Sequence, residues 1–83
     1  MIKKLCEMNC VLANIFVGLI HENDLPVTIT VGKSYVDANS TRMVSVDYSY
    51  PKEDESIVER VMGWALEMAV DRICSSNYEM NVI

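Results

Sequence analysis

Apolar and polar positions along the chain fall into two kinds of pattern, and the first runs from residue 2 to residue 22. At about 100° per residue, Lys3, Lys4, Glu7, Asn14, Gly18, His21 and Glu22 gather in one arc roughly 100° wide. Ile2, Leu5, Cys6, Met8, Leu12, Ile15, Phe16, Leu19 and Ile20 lie on the other side. Asn9, on the apolar face, and Val11, on the polar one, are the exceptions. This sorting predicts an amphipathic helix over residues 2–22. Within it, ANIFVGLI carries residue types that also suit a strand. Strict alternation fails there, so residues 11–20 read as helix in preference to strand.

The second pattern is alternation. Asn23 and Asp24 are turn residues, and Pro26 disfavours helix at Leu25. Val27, Ile29, Val31 and Tyr35 then point one way, with Thr28 and Thr30 the other. Val44, Val46, Tyr48 and Tyr50 alternate in the same manner with Ser45, Asp47 and Ser49. The polar stretch DANST between the two runs is turn-forming, so the pair predicts a β-hairpin.

Beyond Pro51 the helical period returns, up to about Cys74. Ser56 and Glu59 have capping-box spacing, and Glu53, Asp54 and Glu55 crowd the positive end of the helix dipole. The apolar arc of residues 57–73 spans roughly 200°, wider than the stripe of a little over ~100° that covers one sheet. Val58, Met62, Ala65, Ala69 and Ile73 make a stripe for the hairpin. Ile57, Trp64 and Met68 are left as a second stripe, with Asp71 at its rim. Residues 80–83 predict a short edge strand. The whole is a single α+β domain over residues 1–83, a helix–hairpin–helix (αββα) layer.

Eighty-three residues give one thin core, and such chains often lean on a partner. At 51% hydrophobic and 23% charged, the chain has the composition of a globular domain. A net charge of −5 argues against polyanions, whether nucleic acid or an anionic membrane, as partners. Seven of the twelve acids lie in residues 51–83, so the second half is the acidic one. The start, Lys3-Lys4 before an apolar run, has some likeness to a signal peptide. Glu7, Asn9 and Asn14 interrupt it, no small-residue cleavage site follows, and the run is too short to span a bilayer. Three cysteines without framework spacing point to reduced thiols and a cytoplasmic location.

Chemistry is sparse. His21 is the only histidine and sits near a predicted helix end, where it serves the dipole better than catalysis. Cys6 and Cys10, four apart on the predicted helix, could supply two metal ligands, but a structural zinc takes four. Packing as small hydrophobes is the favoured role for both. Val31-Gly32-Lys33-Ser34 lacks the glycine and spacing of a phosphate loop. Tyr35, Tyr48 and Tyr50 form a candidate aromatic cluster on the hairpin, with too few cations nearby for base stacking.

In general character the chain is similar to phage-encoded inhibitors of host defence and to small acidic secretion chaperones. That likeness covers no particular residues and carries over no sites. The expected function is a non-catalytic protein-binding module, an acidic inhibitor or adaptor blocking a basic-grooved partner. A structural or chaperone subunit is the first alternative, and a small enzyme using His21 or a cysteine the second. No cofactor or metal is implied. Glu53, Asp54, Glu55 and Glu59 are the candidate partner-steering patch. Ile57, Trp64 and Met68 are the candidate interface of a homodimer, or of a hetero-contact in the same place. For the thiols, titration of denatured, unreduced protein is expected to count three free groups; stoichiometric zinc in the purified protein would overturn that reading.

Overall fold

The computed structural model describes the backbone of residues 1–82 and the side chains of residues 1–73. It corrects the first expectation at once. Residues 2–9 are not helix: they form strand β1 (Ile2–Asn9), which pairs antiparallel with the second strand of the hairpin. Ile2, Cys6 and Met8 turn toward the core, whereas Lys3, Leu5 and Glu7 are exposed. Two residues hide this alternation in the sequence. Lys4 stands at an inward position, where an edge strand lets its long stem reach water. Leu5 stands at an outward one.

Asn9 marks the true start of the first helix, α1 (Cys10–Glu22). Its backbone is extended (φ −69°, ψ 155°), and its side-chain carbonyl accepts a 2.7 Å hydrogen bond from the Leu12 amide. The residue that was an exception on the expected helix is therefore its N-cap. From there the expected face holds in Leu12, Ile15, Phe16 and Ile20, which are buried, and Ala13 is buried beside them. Asn23 closes the helix, its amide and side chain both donating to the Leu19 carbonyl, at 3.0 and 2.8 Å. Asp24, at φ 51°, then reverses the chain.

The hairpin is present as β2 (Thr28–Val36) and β3 (Arg42–Tyr50). Asp37 organises the loop between them, accepting from the amides of Asn39 and Thr41, each at 2.9 Å. Pairing shifts by one residue between Val31 and Ser34, a bulge that sets Gly32 and Lys33 against Ser45. A Cβ on Gly32 would lie 3.3 Å from the Ser45 carbonyl oxygen, so glycine suits this crowded point. The bulge also inverts the strand's phase. Tyr35, expected on the side of Val27, Ile29 and Val31, faces away from the helices, while Tyr48 and Tyr50 are buried. The aromatic cluster is thus split between the two faces of the sheet.

The strand order is β1-β3-β2, so β1 and β2 run parallel on either side of β3 with α1 as their crossover. This is a split β-α-β unit. A 3-10 turn (Lys52–Asp54) follows β3 and leads into α2 (Glu55–Val82). Ser56 therefore lies inside the helix and is not its cap. Helix continues where the edge strand of residues 80–83 was expected, and Ile83 lies outside the described residues. The edge strand comes instead from the N-terminus.

One core joins β3, α1 and α2: Phe16 meets Tyr48 edge-on (5.2 Å, 72°), and Tyr48 stacks on Tyr50 (6.1 Å, 22°). From α2 it takes Val58, Val61, Ala65 and Ala69. The buried stripe is thus rotated relative to the expected one, with Val61 inside and Ile73 out. The architecture is α+β, two helices on one face of a three-stranded antiparallel sheet.

Replacing Asn9 with alanine tests the corrected start. In mid-helix the change would raise helix propensity and stabilise. At an N-cap it should cost about 1 kcal/mol, read as a lowered midpoint in urea unfolding.

Candidate interaction surfaces

The uncovered face of the sheet carries one polar cluster, assembled from all three strands. Glu7 of β1 pairs across from Ser45 of β3, and the phase change at the bulge brings Tyr35 of β2 to the same side. The Glu7 carboxylate accepts from the Tyr35 hydroxyl at 2.5 Å and from the Ser45 hydroxyl at 3.2 Å. The cross-sheet link ties both edge strands to the centre. It also pushes the Tyr35 phenol above its ordinary pKa, chiefly because the hydrogen bond to Glu7 requires the phenol proton.

The cluster has no imidazole beside it. His21 is exposed in the last turn of α1, on the other side of the sheet. Cys6 and Cys10 do not share a helical face as expected. Cys6 is a strand residue and Cys10 opens α1, both half-buried against the core. Burial, aided by Glu7 and opposed by Lys4, pushes the Cys6 thiol up, which keeps it protonated. Cys74 lies outside the described side chains. Among the described residues no three metal-ligating side chains come together.

The helical layer offers the larger apolar surface. Ile57, Trp64 and Met68 are 44%, 49% and 42% exposed, along one shoulder of α2. Met68 also lines a groove of about 220 Å³ between the helices, with Asn14, Ile15, Gly18, Leu19, Glu22 and Arg72. Leu66, Val70 and Ile73 stand exposed on the opposite shoulder. Sequence reasoning missed this second row, because Ile73 had been assigned to the core stripe and Leu66 and Val70 to none.

Of the four candidate steering acids, Glu53 and Glu59 are exposed and Asp54 and Glu55 half-buried. All four lie at the start of α2 or in the turn before it, on the helix that carries the apolar shoulders. No helix among the described residues is long and apolar enough to cross a membrane. Comparison of the chain with protein families, with curated proteins and with solved structures finds no match.

The Glu7–Tyr35 link has a pH signature. A phenol whose pKa is raised by folding contributes stability below its ordinary range, and that contribution is lost as pH rises through the raised value. In an NMR titration, the Tyr35 ring should ionise at higher pH in the folded chain than in the unfolded one. Glu7→Ala should move it back toward the ordinary value; an unmoved titration would show that the carboxylate does not hold the phenol.

Proposed function

We propose that the protein is a non-catalytic binding module, an acidic inhibitor or adaptor that docks on a larger basic partner through α2. One observation carries this reading. Helix α2 puts its smaller apolar side chains inward, Val58, Val61, Ala65 and Ala69, and leaves Ile57, Trp64, Leu66, Met68, Val70 and Ile73 exposed. A helix whose only task was to cap the sheet would need no large apolar groups beyond that inward stripe, because each contributes its roughly 1.5–3 kcal/mol only when removed from water. Rows of exposed apolar side chains of this kind mark an interaction site, and tryptophan is a frequent anchor of such contacts.

The acids select the kind of partner. Glu53, Asp54 and Glu55 precede the apolar shoulders, and Glu59, Glu67 and Asp71 lie among them. Apposing two copies of this helix would bring like charges together, at a cost. The stripe of Ile57, Trp64 and Met68 therefore serves a basic hetero-partner better than a homodimer centred on the same residues. The placement of His21 and Glu7 on opposite sides of the sheet weighs against the small-enzyme alternative. A structural subunit of a larger assembly would use the same helix, with a permanent neighbour in place of an inhibited one.

Affinity capture followed by titration tests the proposal. Trp64→Glu should reduce partner affinity by tenfold or more while leaving the circular dichroism of the fold unchanged. Reversing Glu53, Asp54 and Glu55 to lysine should slow association and flatten its dependence on salt, since screening acts on steering charge. Equal affinity and equal salt slope in the reversed variant would defeat the steering role. Unfolding of Trp64→Glu would return that residue to the core.

A further inference from the structure

We propose that β1 pairs with β1 of a second copy, antiparallel and centred on Leu5, joining two sheets into one six-stranded sheet. The inference begins with the two free edges. Edge strands expose unpaired backbone groups, and folds commonly blunt them with bulges or charge. β2 is blunted: its ladder breaks at Gly32–Lys33. β1 is not. Its eight residues pair with β3 in unbroken register from Ile2 to Asn9, and among the described residues β3 is its only neighbour.

Leu5 stands outward on that edge and is 76% exposed, the most exposed large apolar residue after Met1 among the described residues. A leucine so placed gains nothing within the monomer. It does so at the centre of a strand whose sequence is complementary to its own reversal.

An antiparallel two-fold edge pairing keeps each face of the sheet continuous, so inward residues must oppose inward ones. That restricts the central registers to those with Lys4, Leu5 or Cys6 on the axis. Centring on Lys4 sets two lysines face to face. Centring on Cys6 sets Leu5 against Glu7 and leaves Lys3 opposite Asn9. Centring on Leu5 sets Leu5 against Leu5 and Lys3 of each copy against Glu7 of the other, with Lys4 against Cys6 and Ile2 against Met8.

Only this third register matches an apolar pair with two opposite-charge pairs, each of which favours a sheet. Glu7 is also held in place, because Tyr35 and Ser45 already hydrogen-bond its carboxylate. Lysines at an edge ordinarily discourage pairing. Here they discourage strangers, and the chain's own Glu7 answers them. The dimer keeps all four helices on one face, so two copies of the α2 surface would point the same way.

Charge exchange tests both the occupant and the register by sedimentation. The wild-type chain should sediment with two chain masses at high concentration. Lys3→Glu and Glu7→Lys, each opposing like charges across the axis, should sediment with one. An equimolar mixture of the two variants restores both ion pairs and should return to two chain masses.

A wild-type monomer would overturn the proposal, as would a Lys3→Glu variant that stays dimeric or a mixture that stays monomeric with both variants folded. Should Glu7→Lys fail to fold, oxidation of Leu5→Cys decides the matter independently. A disulfide between the two introduced cysteines, lost when Lys3→Glu is added, supports the register. A Cys6–Cys6 bond in its place refutes it.

Discussion

Among the described residues only one strand has neighbours on both sides, and the rest of the molecule depends on the inward row it supplies. Val44, Val46, Tyr48 and Tyr50 of β3 are all buried. Between them these residues meet β1, α1 and β2. Val44 and Val46 oppose Met8 and Cys6 of β1, Tyr48 receives Phe16 of α1, and Val46 and Tyr48 oppose Val31 and Ile29 of β2. Among the described residues no second strand supplies a fully buried row of this kind. Two helices cover one face of the sheet, and the other face and both edges are left to the surface.

That constraint accounts for the size order along α2. Residues packed over a row that already contains two tyrosines have little room, so valine and alanine face inward and the bulkier side chains go to the shoulders. Interiors are close-packed, and an oversized residue there forces strain. The width of the apolar arc in α2 is thus a sum of two demands: a narrow stripe of small residues for the core and flanking rows of large ones outside it.

The hairpin, the second helix and the greasy breadth of that helix were legible in the sequence, because each rests on a periodicity sustained over many residues. The strand at residues 2–9 was not. Over eight residues an arc of a helical wheel and an alternating pattern overlap heavily, and Lys4 and Leu5 break the alternation at the two positions where an edge strand tolerates it. The local signal that could have decided was Asn9, a capping residue in the middle of an apolar run. The polar cluster of Glu7, Tyr35 and Ser45 was beyond reach for a different reason. It depends on β1 lying next to β3 and on a one-residue bulge in β2, and no local pattern sets either. The Val-Gly-Lys-Ser stretch lacks the spacing of a phosphate loop, and its glycine serves the bulge.

Leu5 and Trp64 are both exposed, yet they stand in opposite electrostatic settings. Trp64 belongs to a helix on which acids outnumber bases, which is why a basic partner is the one proposed for it. Leu5 is flanked by lysines on one side and a fixed carboxylate two residues on, a balanced strand that its own copy can match. Apolar area alone would make both residues sticky in the same undirected way. Charge pattern is what separates them, because a like-charged pair at a desolvated contact costs several kcal/mol, enough to decide between otherwise similar hydrophobic contacts. Under the two proposals, one chain would hold its β1 edge for a second copy and its α2 surface for a different molecule.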